Sequence, residues 1–267
     1  MVFLKNQYLP ILLKRTISVF SVSRAQRVVR YRMVLGSSEW RAVIIDSAGK
    51  LGIEVSEEQA VLFAAHAREM VLWNRRINLT ALTDPYEMAI KHYLDSIVAV
   101  PFIKPKASLL DVGSGGGFPG IPLKIMLPTV KMTLLDARRK RVSFLKHIIR
   151  SLDLVDVQAL HDRLERMIDM LTSEGGFDVI VTRAFSDLEL FATNALPLLN
   201  PGGYLVAYKG KRGDKLDAEI SGLAKLAIPG GKGKQHMGGL RPHIDIQAFV
   251  LPGLEMERTL VIIRTQV

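Results

Sequence analysis

The sequence predicts an α/β protein in which a helical region precedes a doubly wound, mostly parallel sheet of seven strands. Three observations lead to this prediction. Helical patterns dominate the chain as far as Pro101 and Pro105, and short aliphatic and β-branched runs alternate with helical stretches after them. The last two of these runs follow each other without a helix between them. Strands that alternate with helices pair in parallel, whereas strands in close succession pair antiparallel.

These patterns divide the chain into three parts. We expect residues 1–36 to be a basic extension outside the fold, residues 37–97 to be the helical region and residues 98–267 to be the sheet domain. The first 32 residues hold seven lysines and arginines and no acid, a composition that resembles an organelle transit peptide. An upstream extension, with Met33 as the working start, is the simpler interpretation.

The composition narrows the class of protein. With 48% hydrophobic and 23% charged residues, the chain of 267 residues is typical of a globular protein. It has no cysteine, which excludes disulfides and thiolate metal sites, and no apolar run approaches the roughly 20 residues of a membrane helix. The basic extension supplies most of the net charge of +10, so this charge is no argument for nucleic-acid binding by the folded body. We expect a cytoplasmic protein.

Two helix starts are evident in the helical region. Ser56 and Gln59 form a capping-box pattern at the first, while Asp84 and Pro85 suit the cap and first turn of the second, where Glu87 can complete a box. Aliphatic and aromatic residues at helical spacing predict the buried faces. They are Phe63, Ala67 and Met70 in the first helix, and Ile90, Leu94, Ile97 and Val98 in the second.

Seven runs predict the strands of the sheet. They are ASLLDV, VKMTLLD, VDVQAL, FDVIVTR, GYLVAY, IDIQAFVL and RTLVIIR. Parallel α/β sheets bind ligands beyond the carboxyl ends of their strands. The stretch LLDVGSGGGFPGIPL, residues 109–123, lies at such an end and contains five glycines. Since glycine lets a ligand approach the backbone closely, this stretch predicts a binding site.

The residues around the glycines distinguish two ligand classes. Gly115, Gly117 and Gly120 fit G-x-G-x-x-G, the dinucleotide fingerprint. However, prolines shorten the helix that follows, and Asp111 would place a negative charge beside a pyrophosphate. Asp111 suits a ligand that carries a cation, such as the ammonium group of S-adenosylmethionine. Asp136 ends the second strand, where an acid commonly binds ribose hydroxyls in both ligand classes.

Several motifs together resemble a known family. Asp-Val-Gly-Ser-Gly-Gly-Gly matches the [DE]-x-G-x-G-x-G pattern of class I methyltransferases. The stretch VGSGGGFPGIPL resembles the bacterial small-subunit rRNA guanine-N7 methyltransferases, the family of glucose-inhibited division protein B. Five further motifs contribute to this resemblance: WNRRINLTAL, HYLDSIV, VTRAF, NPGGYLVAYKG and LPGLEMERTLVIIR. The resemblance runs over residues 37–267. It implies a Rossmann-like methyltransferase domain at residues 98–267, S-adenosylmethionine as cofactor, and 16S rRNA or a small ribosomal subunit precursor as partner.

The resemblance also implies particular cofactor contacts. In addition to the residues argued above, it assigns this role to Gly113, Phe118, Leu164, Glu165 and Arg183. The segment HDRLE departs from the family pattern at two positions, because Asp162 stands where the family has glycine and Leu164 where it has alanine.

The expected chemistry needs no proton transfer. The sequence has VTRAFSD after the fourth strand, in place of the [DN]-P-P-[YFW] motif that holds exocyclic amino groups. Guanine N7 carries an in-plane lone pair and no proton, so that methyl transfer depends on positioning. We therefore assign no catalytic base, leave the catalytic residues unassigned and expect no metal.

Basic residues near the carboxyl edge are the candidates for RNA binding. Four cations crowd the start of the helix after the second strand, where the helix dipole disfavours them: Arg138, Arg139, Lys140 and Arg141. They predict either a phosphate-binding surface or an ordinary solvated face. Lys209, at the end of the fifth strand, is a further candidate. The basic segment 229–243 either reaches RNA or only joins the last strands.

Other functions stay open at this point. They are a class I methyltransferase with another RNA or a small molecule as acceptor, a nicotinamide-dependent oxidoreductase, and an RNA-binding protein without catalysis. His92, Asp95 and Ser96 share a helical face, but they lack the strained nucleophile turn of a hydrolase. We expect a monomer that does not associate with membranes.

Overall fold

A seven-stranded sheet forms the centre of the protein. Its strands are β1 (Ser108–Val112), β2 (Lys131–Asp136), β3 (Val157–His161), β4 (Phe177–Thr182), β5 (Leu199–Lys209), β6 (Pro242–Leu251) and β7 (Met256–Thr265). Their order across the sheet is β3-β2-β1-β4-β5-β7-β6. The first five strands are parallel, and β7 pairs antiparallel with both β5 and β6. The predicted doubly wound, mostly parallel sheet is confirmed.

The computed structural model describes residues 33–166, 175–185, 187–224 and 242–265. Residues 33–267 belong to one compact unit. The predicted basic extension, up to residue 32, lies outside the described residues, as does the predicted basic segment from 229 to 241.

Helices of the N-terminal region cover one face of the sheet. They are α1 (Ser38–Lys50), α2 (Glu57–Ile77), α3 (Pro85–Met88), a π-helix (Ala89–Leu94), α4 (Asp95–Ile97) and a 3₁₀ turn (Val100–Phe102). The helix α1 was not predicted from the sequence. Ser37 caps it by accepting a hydrogen bond from the backbone N–H of Trp40, whose side chain is fully buried.

The predicted helix caps are confirmed in part. The Ser56 hydroxyl accepts from the N–H of Gln59, and the Gln59 side chain accepts from the N–H of Ser56. The Asp84 carboxylate accepts from the N–H of Glu87 at 2.8 Å, as expected. The prediction that Glu87 completes a box was wrong, because its carboxylate pairs with Lys91 one turn later, also at 2.8 Å.

The segment from α3 to α4 is buried on more than one face. The predicted buried residues Ile90, Leu94, Ile97 and Val98 are all buried. Tyr93 and Asp95 are buried as well, because this segment packs against α1 on one side and α5 on the other. A charged side chain such as Asp95 therefore needs a partner in this position.

Among the elements that the structure describes, four further helices connect the strands. They are α5 (Gly120–Met126), α6 (Arg139–Ser151), α7 (Leu188–Ala195) and α8 (Asp214–Leu223). Residues of α5 and α6 share one hydrophobic core with the N-terminal helices, and residues of α7 and α8 form a second core. The two cores lie on opposite faces of the sheet, since Leu109 contributes to the first and Leu110 to the second.

Strand register brings distant residues together at the carboxyl edge of the sheet. Val112 of β1 lies beside Thr182 of β4, so the residues that follow, Gly113 and Arg183, emerge next to each other. Because β7 runs antiparallel to β5, its first residues also lie at this edge. The fold therefore collects the ends of β1, β2, β4 and β5 and the start of β7 in one place.

A glycine at the start of α5 gives a test of this packing. A Cβ atom added at Gly120 would lie 2.3 Å from Leu134 Cδ2 and 2.6 Å from Asp111 Oδ2. We expect Gly120→Ala to lower the free energy of unfolding by about 1–3 kcal/mol through overpacking. Urea unfolding, followed by circular dichroism, measures this change.

Gly49, in the last turn of α1, provides the matched control. A Cβ atom there would meet nothing within 4 Å. Gly49→Ala should therefore raise the free energy of unfolding by about 0.4–1 kcal/mol, since alanine restricts the unfolded chain. Equal midpoints for the two variants would contradict the packing described for Gly120.

Candidate active site at the carboxyl edge of the sheet

The glycine loop, residues 113–119, joins β1 to α5 and is anchored to the end of β2. The N–H groups of Gly113 and Ser114 both donate to the carbonyl oxygen of Leu135, at 2.8 and 3.0 Å. The N–H of Gly115 donates to Oδ2 of Asp136 at 2.9 Å. These bonds fix the first half of the loop against the neighbouring strand.

The three glycines of the [DE]-x-G-x-G-x-G pattern have different surroundings. A Cβ atom at Gly113 would lie 2.7 Å from Ala184 Cβ, and one at Gly117 would lie 2.7 Å from Ile121 Cγ1. At Gly115 the nearest atoms would be 3.8 Å away. Protein packing therefore requires glycine at positions 113 and 117. A Cβ atom at Gly115 would make only ordinary van der Waals contacts, so this is the side of the loop that leaves room for a ligand.

Asp111 lies fully buried beneath this loop. Its Oδ2 atom accepts a hydrogen bond from the N–H of Gly120 at 3.0 Å, while its Oδ1 atom is buried without a hydrogen-bond partner. Burial raises the pKa of the Asp111 carboxyl to about 7. Because a buried carboxylate oxygen without a partner is costly, the arrangement fits a ligand cation. The ammonium group of S-adenosylmethionine is such a cation.

Asp136 holds backbone groups with both of its oxygens. Oδ2 accepts from Gly115, and Oδ1 accepts from the N–H of Arg138 at 2.8 Å. The carboxylate is buried, and Arg141 Nη1 lies 3.6 Å from Oδ2. Each carboxylate oxygen can accept two hydrogen bonds, so this arrangement is compatible with ribose binding. The contact between Asp136 and the ribose hydroxyls stays a prediction.

Phe118 packs inside an aromatic cluster. Its ring stacks on His92 with centroids 4.4 Å apart and an interplanar angle of 15°, and it meets Tyr93 edge-on at 5.3 Å. The guanidinium carbon of Arg183 lies 5.1 Å from the ring centroid. The structure thus gives the buried ring a packing role between the loop and the helical region, and its predicted contact with the cofactor stays a prediction.

Two of the predicted cofactor contacts, Leu164 and Glu165, follow β3. Leu164 is 2% exposed and packs in the hydrophobic core that contains α7 and α8, while the neighbouring Glu165 is exposed. The structure therefore places one side chain in the core and leaves the other accessible. Their contacts with the cofactor stay predictions.

Arg183 joins the end of β4 to the helical region. Its Nη1 donates to the carbonyl oxygen of Lys91 at 3.1 Å and lies 3.7 Å from Asp95 Oδ2. Arg258, from β7, donates through Nε to Asp95 Oδ1 at 2.9 Å. Burial raises the pKa of Asp95, and both arginines oppose this effect. The pairing of Asp95 with Arg258 was not predicted from the sequence, because the two residues lie 163 positions apart.

His92 has partners at both ring nitrogens. Arg183 Nη2 lies 3.4 Å from Nδ1, and Thr80 Oγ1 lies 2.9 Å from Nε2. Since arginine is only a donor, Nδ1 accepts and Nε2 carries the hydrogen. Burial, followed by the charge of Arg183, lowers the pKa of His92 to about 3. With an arginine in place of a carboxylate at Nδ1 and a pKa of about 3, His92 does not suit the general base of a hydrolase triad.

The structure separates the predicted RNA-binding cations into two groups. Arg138, Arg139 and Lys140 are exposed at the start of α6. Arg141 is half-buried and turns toward Asp136. Lys209 donates to Glu219 Oε2 at 2.8 Å and to the carbonyl oxygen of Phe185 at 3.2 Å. The RNA contacts of all five side chains stay predictions.

The described part of the chain offers neither a metal site nor a membrane span. It contains no group of three or more His, Asp or Glu side chains that could hold a metal ion. None of its helices is long and apolar enough to cross a membrane.

The fold and the site together define a class I methyltransferase that uses S-adenosylmethionine. An O-methyltransferase from Bacillus cereus, solved in complex with SAH, has the same fold, with a TM-score of 0.53, 16% identity, and coverage of 85% of this chain and 99% of that chain. Over residues 59–235 the sequence matches the model of the GidB family, described as rRNA small subunit methyltransferase G. The chain belongs to this family.

Individual relatives agree with the family match. The ribosomal RNA small subunit methyltransferase G of Geobacter sulfurreducens is 41% identical over 187 residues, which cover 70% of this chain and 85% of that protein. The protein of the same name from Geobacter sp. strain M21 is 38% identical over 224 residues, which cover 81% and 93% of the two chains. The resemblance stated from the motifs is confirmed.

The raised pKa of Asp111 predicts a pH dependence of cofactor binding. Below a pKa of about 7 the free protein carries a protonated Asp111, and binding of an ammonium group must first remove that proton. Affinity for S-adenosylhomocysteine, which keeps the ammonium, should therefore rise by up to about tenfold per pH unit between pH 5.5 and 7 and then level off. Calorimetry across this range measures the effect.

Asp111→Asn is the control for this titration. An asparagine keeps an oxygen that can accept from Gly120 but has no proton to lose. The variant should bind more weakly at pH 7 and show no rise in affinity over the same range. A rise that persists in Asp111→Asn would assign the titration to another group.

Proposed function

We propose that the protein transfers the methyl group of S-adenosylmethionine to N7 of a guanine in 16S rRNA. Family membership supports the substrate class, since the relatives are named small-subunit ribosomal RNA methyltransferases. The observation that carries the proposal is the glycine loop, which combines the open side of Gly115 with the unpaired buried oxygen of Asp111.

In this proposal the residues of the chain bind and orient, and none of them exchanges a proton with the substrate. S-adenosylmethionine supplies an electrophilic methyl group on its sulfonium. Asp111 holds the ammonium group, and Gly115 lets the cofactor lie against the backbone. Guanine N7 needs no base, which agrees with the engaged nitrogens of His92. Rate acceleration then comes from in-line positioning of the two reactants.

The charges at the edge favour an anionic acceptor. Arg183, Asp95 and Arg258 together carry one net positive charge, and the two arginine side chains are 23% and 21% exposed. The exposed cations at the start of α6 lie at the same edge, directly after the end of β2. A phosphate backbone that crosses this edge would be attracted to both groups.

A nicotinamide cofactor is disfavoured by the same geometry. The helix that follows the glycine loop has seven residues, Gly120–Met126. The buried Asp111 would repel a pyrophosphate placed at the start of this helix. An oxidoreductase therefore receives no support from the site.

An acceptor assay tests the proposed function. Tritiated methyl groups from S-adenosylmethionine should pass to small-subunit RNA or particles that lack the modification, and the product should break at the methylated guanine after borohydride and aniline treatment. Gly115→Ala should abolish transfer by filling the open side of the loop. Gly52→Ala is the matched control, because Gly52 has a φ of +71°, similar to the +57° of Gly115. A Cβ atom added at Gly52, which lies between α1 and α2, would meet nothing within 4 Å.

Both alanine variants should lose about 1–2 kcal/mol of stability, because each forces a side chain into the left-handed region. Only Gly115→Ala should lose binding of S-adenosylhomocysteine. Transfer to protein or to a small molecule would favour a class I methyltransferase with another acceptor. RNA binding without any transfer would favour a non-catalytic binding protein. Either of these results contradicts the proposal.

The exposed basic turn at the start of α6 gives a second test. Reversal of two charges, with Arg139→Glu and Lys140→Glu, should weaken RNA binding. It should also lower the magnitude of the log–log salt slope by about 0.7–0.9 for each phosphate that the variant no longer neutralises. Affinity for S-adenosylhomocysteine should stay the same, since Asp136 is untouched. Filter binding at several salt concentrations measures both RNA quantities.

Lys106 and Lys131 supply the matched control for charge. Both are exposed and lie at the opposite edge of the sheet, before β1 and at the start of β2. Lys106→Glu with Lys131→Glu changes the net charge by the same amount. Equal loss of RNA binding in the two double variants would show that the basic turn contributes only through the net charge of the protein.

We also propose where and in what form the protein works. The relatives are bacterial proteins named for a ribosomal RNA substrate, which supports a cytoplasmic location. The site is assembled from elements of a single chain, which supports action as a monomer.

A further inference from the structure

A buried histidine connects the helical region to the glycine loop. His66, in the middle of α2, is 0% exposed. Its Nε2 atom lies 2.9 Å from the carbonyl oxygen of Gly116, and its Nδ1 atom lies 3.1 Å from the hydroxyl oxygen of Tyr93. The sequence separations are 50 and 27 residues, so both bonds are tertiary contacts.

The chemistry of the partners fixes the state of this imidazole. A carbonyl oxygen only accepts, so Nε2 must carry the hydrogen. Nδ1 then accepts from the hydroxyl of Tyr93, whose pKa is raised well above 10 by burial. Burial also lowers the pKa of His66 to about 4, which keeps the ring neutral. Tyr93 therefore donates a hydrogen bond to His66, and His66 donates one to the carbonyl oxygen of Gly116.

This chain of bonds acts on one peptide group of the loop. The peptide between Gly116 and Gly117 donates its N–H to the carbonyl oxygen of Ser114 at 2.7 Å, while its own carbonyl accepts from His66. A peptide plane that is held at both ends has no freedom to rotate. Its orientation determines the dihedral angles on either side, including the φ of +89° at Gly117.

Packing around the histidine adds to this constraint. A Cβ atom at Gly117 would lie 3.2 Å from His66 Nε2, and a Cβ atom at Gly116 would lie 3.2 Å from the sulfur of Met70, one turn later in α2. The His66 ring is also 5.1 Å from the ring of Phe118. The helix α2 therefore forms the back of the loop opposite the open side of Gly115.

We propose that His66 is a positioning residue for cofactor binding: it holds the Gly116–Gly117 peptide so that the glycine loop keeps the shape that binds S-adenosylmethionine. This role rests on the proposed function, because it takes the loop to be the cofactor site. His66 itself touches neither the cofactor nor the acceptor. The two hydrogen bonds of His66 lead to the glycine loop and to Tyr93, so we expect its effect to fall on cofactor binding.

A pair of variants separates positioning from packing. His66→Leu keeps a buried apolar side chain but leaves the Gly116 carbonyl without a donor. His66→Gln restores an N–H donor at a similar distance from the backbone. We expect His66→Leu to raise the Kd for S-adenosylhomocysteine and the KM for S-adenosylmethionine by about tenfold or more. The glutamine variant should recover most of this loss, and kcat and the KM for RNA should change little in both.

Phe63→Leu serves as the control for a loss of core packing. Phe63 is fully buried in α2, and its ring lies 5.3 Å from the ring of Tyr93. This variant should lower the unfolding temperature while leaving the Kd and the KM for the cofactor unchanged. An increase of the cofactor Kd in Phe63→Leu equal to that in His66→Leu would overturn the proposal.

Tyr93→Phe provides a second measurement if His66→Leu fails to fold. It removes the hydroxyl that donates to Nδ1 of His66 and keeps both the ring and the bond from His66 to Gly116. The cofactor Kd should rise by a smaller factor, roughly two- to fivefold. Nitrogen-15 NMR of labelled histidine should show the Nε2–H tautomer of His66 in the wild type and in the variant, because the Gly116 carbonyl can only accept. An Nδ1–H tautomer in the wild type, or an unchanged Kd in the variant, would overturn the proposal.

Failure of this inference is distinguishable from failure of the proposed function. If the wild-type protein binds S-adenosylhomocysteine and His66→Leu binds equally well, His66 has no positioning role while the methyltransferase assignment stands. If the wild-type protein binds no S-adenosylhomocysteine, the proposed function and the role of His66 both fall.

Discussion

The conformation of the glycine loop depends on hydrogen bonds made by its own backbone. Asp136, Leu135, Ser114 and Asp111 each accept from an N–H of the loop or of the residue that starts α5. Because these bonds join the loop to β1, to β2 and to the first residue of α5, the loop keeps its shape only when these three elements are in place. The backbone concavity at the end of β1 thus depends on the position of β2 beside β1 and on the start of α5.

Buried charge gives the edge its particular chemistry. Asp111 and Asp95 are both nearly inaccessible to solvent, and burial raises the pKa of each. Their situations differ, because Asp95 has two arginines while Asp111 has one oxygen without a partner. Charges held in a medium of low dielectric interact more strongly than charges in water. A site of this kind distinguishes a cationic ligand group from a neutral one.

Most of the architecture and part of the site could be predicted from the sequence. Strand runs, the capping box at Ser56 and the acid before the glycines depend on local patterns, and such patterns are visible in one dimension. The directions in which side chains point are not visible in the sequence. Arg141 and Lys209, which were predicted to bind RNA, therefore proved to have acidic neighbours in the fold. His66 carried a signal that was missed, since it lies next to Ala67 in a buried helical stripe and a buried polar group needs partners. Its partner, 50 residues away, required the fold.

The contacts between α2 and the glycine loop have a thermodynamic consequence for the helical region. The glycine loop is ordered only when the segments that contact it are folded. A ligand that binds only the ordered loop therefore stabilises those segments as well. Since His66, His92 and Tyr93 all belong to the helical region and contact the loop or Phe118, local opening of α2 and of the π-helix becomes less frequent in the liganded protein. Slower amide exchange should then extend beyond the residues that touch the ligand. It should reach the helical region, which lies outside the sheet.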